Sequence, residues 1–381
     1  MKNNIFNQNR LSILIGLLLG IFLLDIFSSN IDSEINFEEF ALGKNTKTLM
    51  ASVEDKKIHC NDLKDLNLCI EGYKIDKNNS PVIIWLGNSQ LHAINQNQLG
   101  NETAAPQIHR FLKKYNFHTL TLSQANANLQ EHYLLFAYLL DRFPIKTLIL
   151  PIVFDDMRED QIRSNFESIL KDQNSLKKIN KTLTGKSLIS KFNDKDLADN
   201  QSNVLDDTMQ NSYENSIDEK LGKIWPLWTK RDILRGELFG TLYLLRNSIL
   251  GIKATTTRKI IKGKYIKNRN AYQDILNLAF DNKVEVLVYI PPIRNDIKIP
   301  YELTEYNNFK KEIKDIAEEY KIHFTSLENL VPSEFWGKKA STNLRGEDEV
   351  DFMHFQAEGH RLLAEAIFLE ISKIWQLTNK P

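Results

Sequence analysis

Residues 81–90 read PVIIWLGNSQ: a proline, an apolar and partly β-branched run, then Gly87-Asn88-Ser89. A short apolar run without polar alternation is the pattern of a strand buried on both faces in a parallel sheet, and the glycine marks a tight turn at its C-terminal end. Working outward, Ile108–Tyr115 has helical spacing and His118–Leu122 is strand-like. Leu129, Tyr133, Phe136 and Leu140 recur on one helical face, and KTLILPIVF (146–154) is a second buried strand. Further on, Ala271–Phe280 predicts a helix and VEVLVYI (284–290) a strand. Phe309, Ile313, Ile316, Ala317 and Tyr320 mark another helix, and Leu363, Ala366, Ile367, Ile371 and Ile374 a final one. Strand and helix in alternation predict an α/β fold around a central parallel sheet, with its ligand site at the C-terminal strand ends. From about 158 to 270 the alternation breaks. We read an insertion there, flexible in its Asn-, Lys- and Ser-rich first part and helical in the second, which contains IWPLWTKRDILRGELFGTLYLLRNSIL.

The chain has 381 residues, enough for one large domain, and its 49 Lys plus Arg balance 49 Asp plus Glu. A net charge of zero gives no bulk attraction for nucleic acid or for an anionic membrane surface, so any partner is chosen locally. Lys2 and Arg10 precede an apolar run from Leu11 to Phe27 that is interrupted only by Ser12 and Asp25. At about 1.5 Å per residue such a run just crosses a hydrocarbon core of about 30 Å. The expectation is a cytoplasmic stretch (1–10), a single transmembrane anchor (11–28), a juxtamembrane segment (29–75) and an extracytoplasmic, periplasmic domain (76–381), the basic flank staying in the cytosol. A cleaved signal peptide is the competing reading, but SSNIDSE lacks a small-x-small cleavage site. Cys60 and Cys69 either close a small disulfide loop, as export would allow, or remain two thiols. Neither has a neighbour at metal-ligand spacing, and no metal or cofactor is expected.

Two short modules carry the chemistry. Ser89 follows a strand and a glycine, a position where a hydroxyl can stand exposed at the upper edge of a sheet with its own N–H free to donate. Taken alone it also reads as a plain helix cap. Near the C-terminus, DFMHFQAEGHRLLAEAI sets Asp351 three residues before His354, ahead of the last helix. In a turn, that spacing lets the carboxylate hold one imidazole nitrogen and leaves the other to accept a proton from a serine. Taken alone this too reads as an ordinary loop with an incidental histidine; His360, inside the helical pattern, has a packing or hydrogen-bonding role. Together the modules explain each other, because a serine hydroxyl is a poor nucleophile until a base takes its proton.

This pair resembles the SGNH/GDSL hydrolase superfamily, in which a strand leads to Gly-Asp-Ser and Asp-x-x-His comes last. The resemblance covers roughly residues 80–156 and 284–375. It implies a flavodoxin-like three-layer sandwich, here with a helical insertion and an N-terminal transmembrane helix. It also implies that Ser89, His354 and Asp351 form the catalytic set. Asn88 stands where the family has Asp. Asn126 in LSQANANLQEH is the counterpart of the glycine whose N–H serves the oxyanion hole. Where the third block has an Asn donor this chain has Phe154-Asp155-Asp156, and an ionised carboxylate only accepts hydrogen bonds. Losing one such donor costs about 2–4 kcal/mol of transition-state stabilisation. Arg158, Arg163 or a residue of the insertion would then have to substitute.

These departures, with the anchor, look like the SGNH-like proteins of cell-envelope acylation, similar to the D-alanyl lipoteichoic acid transfer protein and the alginate acetylation proteins. That resemblance implies a membrane-bound O-acyltransferase (MBOAT-type) partner, a polysaccharide substrate, and O-acetyltransferase or esterase chemistry through an acyl-serine. The alternatives are an inactive glycan-binding scaffold and an ordinary periplasmic lipase. YIPPIRNDIKIPYELTEYNNF shares the look of the group, and Arg294 within it is a substrate-binding candidate, a surface salt bridge being the bland reading. Trp225, Trp228 and Tyr243 could stack on sugar rings or simply pack in the core. Asp155, Asp156, Glu159 and Asp160 could meet a cation or merely cap a helix.

Overall fold

The computed structural model describes residues 42–61, 63–75, 80–203, 231–344 and 346–377, besides Gly16 and Gly20. The expected anchor at 11–28 lies outside these residues apart from the two glycines, as do Trp225 and Trp228. Among the described residues no helix is long and apolar enough to cross a membrane.

Six parallel strands form the central sheet: β1 (His59–Cys60), β2 (Val82–Gly87), β3 (His118–Ser123), β4 (Ile145–Pro151), β5 (Glu285–Ile290) and β6 (His323–Ser326). Their order is β6-β5-β4-β2-β3-β1, with every neighbouring pair parallel. Leaving aside edge strand β1, the remaining five have the flavodoxin-like order, whose direction of winding reverses between β2 and β4. The strands are apolar at successive positions because both faces are covered. Val82, Ile84, Leu86, Leu148, Leu150, Val286 and Val288 enter one core, while Ile83, Trp85, Ile149, Leu287 and Tyr289 enter the other.

The first core is closed by helices α1 (Leu63–Ile75), α3 (Leu129–Leu139), α7 (Lys262–Asp281) and α8 (Leu303–Glu319). The second is closed by α2 (Ala104–Lys113) and α9 (Ala357–Trp375). The result is three layers. Burying a Leu or Ile fully is worth about 1.5–3 kcal/mol, so both helical layers are held chiefly by these side chains.

Two expectations need correction. The described residues from 42 to 75 belong to the folded domain, since β1 pairs with β3 and α1 packs beside it. A two-residue strand has no period to read, whereas Leu63, Leu66, Ile70 and Tyr73 of α1 do recur at helical spacing and pack on the first core. Cys60, at the end of β1, is joined to Cys69 in α1 by a disulfide. The first part of the insertion is also not flexible as expected but helical in its described residues, with α4 (Gln173–Ile179) and α5 (Leu183–Asn203). The Asp172 side chain caps α4 by accepting from the Ser175 N–H, and Ile179, Leu188 and Phe192 are buried. The second part contains α6 (Arg231–Leu250), which exposes Leu238, Phe239, Leu242, Leu245 and Ile249. The core pattern resumes at Lys262, earlier than the expected 270.

Candidate active site

The turn after β2 begins with Gly87, whose backbone is not left-handed. Its lack of a side chain matters for space instead: a Cβ there would sit 2.4 Å from Leu91 Cδ1. Leu91 can therefore fold back beneath the turn Ser89–Leu91. Asn88 caps that turn, its Oδ1 accepting from the Gln90 N–H at 3.1 Å. This fixes the amide, so Nδ2 points the other way and donates to Asp156 Oδ2 at 3.1 Å. Ser89 is left half-buried at the C-terminal edge of the sheet, where the winding reverses and ligand crevices form.

His354 arrives from β8 (Glu349–Phe355), antiparallel to β7 (Trp336–Lys339). In an even strand, residues three apart face opposite sides. Here the ladder pairs Lys338 with Val350 and then Trp336 with Phe355, so two steps on β7 oppose five on β8 and residues 351–354 bulge outward. The expected turn is thus an excursion within a strand. Asp351 Oδ1 accepts from the Met353 and His354 N–H groups at 2.9 and 3.0 Å, which closes the bulge.

Within it, His354 Nδ1 lies 2.9 Å from Asp351 Oδ2, and His354 Nε2 lies 2.9 Å from Ser89 Oγ. An ionised carboxylate can only accept, so Nδ1 carries the proton and Nε2 is free to accept from the serine hydroxyl. Burial pushes the Asp351 carboxyl up, but the adjacent imidazole and the two N–H donors outweigh it and hold the group at about 2. Asp351 therefore remains charged beside the ring.

Two supporting residues carried no signal in the sequence. Asn95 Nδ2 donates to Asp351 Oδ2 at 3.2 Å and to the Lys338 carbonyl at 3.0 Å. The β7–β8 ribbon reaches it because position 337 is glycine, where a Cβ would stand 2.0 Å from Asn95 Oδ1. Gln90 Nε2 donates to the carbonyls of Pro292 and Met353 at 2.9 and 2.8 Å, tying the serine turn to the histidine bulge.

The remaining candidates separate. Asn126 has φ +52°, a left-handed turn residue, and together with Ser89, His354, Asp155 and Asp156 it lines a pocket of about 160 Å³. Arg163 fastens this loop: its guanidinium donates to the Ala125 carbonyl at 2.7 Å and to the buried Glu131 carboxylate at 2.9 Å. Asp155 accepts from Arg158 at 3.2 Å, from Tyr301 at 3.1 Å and from Arg258. It is an anchor, and what it brings to the wall of the pocket is the guanidinium of Arg258, an insertion residue that no pattern singled out.

Asp156 is buried, and burial with neighbouring Asp155 raises its carboxyl well above the ordinary range. Burial thus works against the ionised, accept-only state expected at this position. A protonated carboxyl can donate. Arg158 donates to the Lys259 carbonyl and lines a larger neighbouring cleft rather than this pocket. Arg294 is occupied by Asp296 and the Gly337 carbonyl and lines neither space, the bland reading of it. His360 accepts from the Ala104 N–H and sits against the Ala93 carbonyl, a buried structural histidine held down to about 3 by burial. No group of side chains among the described residues is arranged to hold a metal ion.

No family model and no curated protein matches this chain. Among solved structures it is similar to a GDSL-like lipase from Bacteroides thetaiotaomicron, at 11% identity and a TM-score of 0.34, over 80% of this chain and 98% of that one. It is also similar to a mutant of an acetylxylan esterase from Geobacillus stearothermophilus, at 10% identity and a TM-score of 0.35, over 76% and 94%. Scores this low carry no weight for the chemistry, which rests on the strand order and the distances above.

Proposed function

We propose that this chain is an SGNH-like serine acyl-transfer enzyme, and the observation that carries the reading is the 2.9 Å contact between Ser89 Oγ and a histidine held by a buried aspartate. Ser89 Oγ attacks the acyl carbonyl while His354 Nε2 takes its proton. Asp351 steadies the imidazolium that results. The negative oxygen of the tetrahedral intermediate meets the N–H groups of Ser89 and Asn126, with Arg258 of the pocket wall as the further donor in place of the one the altered third block lacks. Collapse expels the leaving alcohol, protonated by His354, and leaves an acyl-serine. A hydroxyl acceptor or water then attacks that ester with His354 again as base.

In this reading the acyl group moves to or from a cell-envelope polysaccharide on the outer side of the cytoplasmic membrane, with the 11–28 run as anchor and a membrane-bound O-acyltransferase as partner. The Cys60–Cys69 disulfide supports an oxidising compartment. A second reading, a non-catalytic glycan-binding subunit, draws on the closure of Asp155 in ion pairs where a side-chain amide donor would be expected.

One experiment separates them. The full chain is treated with a fluorophosphonate probe beside its Ser89→Ala variant. Labelling of the parent alone, and a fall of envelope acylation by about 10³-fold or more in cells carrying the variant, is expected. An unlabelled parent together with unchanged acylation in a folded variant would leave the scaffold reading standing.

A further inference from the structure

The insertion helix α6 is docked by a narrow face. Gly240 and Asn247 are buried and Leu244 is half-buried, so one helical face, at positions 240, 244 and 247, turns inward. Asn247 Nδ2 donates to the Thr342 carbonyl at 3.0 Å, and Ser248 Oγ accepts from the Leu344 N–H at 2.8 Å. These bonds fix the C-terminal half of the helix on the segment after β7. On the opposite face Leu238, Leu242, Leu245 and Ile249 recur at spacings of four, three and four residues, and they are 58, 46, 41 and 75% exposed. A surface helix ordinarily turns such an apolar stripe to the core. In α6 it is turned away.

The stripe is too small for a protein partner. It covers less than two heptads, whereas a coiled coil is read from about three to four. Its four side chains are also far short of the about 20–30 residues that a stable interface takes from each partner. The place where the chain enters the domain points to a different occupant. The Leu42 carbonyl accepts from the Ala340 N–H at 3.3 Å, two residues before the Thr342 that holds Asn247. Only residues 28–41 separate Leu42 from the apolar run 11–27, and at about 3.3–3.6 Å per residue they reach about 50 Å at most. A bilayer holding that run therefore lies close to the foot of α6. A surface tethered so near is met at high effective concentration, so a short stripe that could not hold a membrane alone can still engage one.

We propose that α6 lies in the bilayer interface as a second membrane contact, with Leu238, Leu242, Leu245 and Ile249 among the lipid chains. The inference rests on the anchor reading for the nearness of the membrane. No described helix is long and apolar enough to cross, so α6 lies along the surface. Tyr243 and Arg246, on the flank of the stripe, suit the headgroup level, the guanidinium lying 4.8 Å from the ring. Both also line the cleft of about 950 Å³ that shares Asn126, Asp155 and Arg258 with the serine pocket. The cleft then opens at the membrane surface, and the helix sets how Ser89 faces the bilayer.

The test uses the full chain in phosphatidylcholine–phosphatidylglycerol vesicles containing nitroxide-labelled lipid. Cys60 and Cys69 are joined, so one added cysteine can carry a fluorophore. It is placed by Leu242→Cys, by Ile249→Cys or, as a control, by Phe280→Cys, an 80% exposed position at the end of α7. Nitroxides about 5–10 Å deep should quench the labels at 242 and 249 about twofold or more and leave that at 280 unchanged. Adding Leu238→Glu and Leu245→Glu to the Ile249→Cys chain should remove its quenching. Unquenched labels on α6, equal quenching at 280, or quenching unchanged in the folded double-glutamate chain would overturn the proposal. Blue-shifted emission from α6 without quenching would give the stripe to a second copy, and overturn it too. Alkaline carbonate extraction reads the anchor separately. A chain retained but unquenched keeps the anchor and sinks the α6 contact, whereas a chain quenched but released does the reverse.

Discussion

At the scale of single residues, Asp351 and Asp156 show how environment assigns opposite states to one side chain. Asp351 is buried beside an imidazole and two N–H donors, and its carboxyl is held down at about 2. Its contribution to stability is present above the ordinary carboxylate value and is lost as pH falls toward 2. Asp156 is buried beside another carboxylate, and its shift is upward. The contribution from its neutral form is complete below the ordinary value of 3.8 and declines as pH rises toward the shifted one. Asp156→Asn removes that decline while keeping a polar group next to Asn88. Thermal scans between acid and neutral pH should find the variant gaining on the parent, by about 2 °C or more at neutrality. A difference that does not change with pH would show that Asp156 ionises freely in the fold.

At the scale of elements, what the sequence made legible follows from burial. β2, β4 and β5 are covered on both faces, so their runs are apolar without interruption and could be read within a few residues of their observed ends. Ser89 and the Asp351–His354 pair were readable because each is local, a turn and a three-residue spacing. Gln90, Asn95 and Arg258 were not. Each matters through a partner brought from far along the chain, by 263, 256 and 103 residues, and nothing in a local pattern records that. The loop between β3 and α3 is a case where a distant partner has a stability cost that can be measured. Arg163→Ala would leave the buried Glu131 carboxylate with only the backbone N–H groups of Asn128 and residue 163 and release the Ala125 carbonyl. Because Arg163 is about one-third exposed, we expect a loss of about 2–3 kcal/mol in urea denaturation, below that for breaking a fully buried pair. Arg163→Lys should recover only part of it, since an ammonium cannot match the two carboxylate oxygens at once. A loss within a few tenths would mean that the loop holds itself.

At the scale of the whole molecule, the site belongs to neither end of the chain. Ser89 stands on the sheet, while His354 stands on a ribbon kept in place by α9, whose Leu363, Ile367 and Ile371 fill the second core. Leu363→Ala, in a position with no exposure, should cost about 2–5 kcal/mol. Fluorophosphonate labelling should fall in step with the folded fraction as denaturant is added, because the docking of α9 and the approach of the histidine are one event. Labelling that vanished well before unfolding would separate them. The contact between Ser89 and His354 spans 265 residues of sequence. At about 5–20 residues added per second, roughly 15–50 s pass between the synthesis of the proposed nucleophile and that of its base. Throughout that interval Ser89 is an ordinary alcohol, and a chain stopped short of its last helix carries the serine without the means to use it. Synthesis through α9 is thus built into the site as the condition for reactivity.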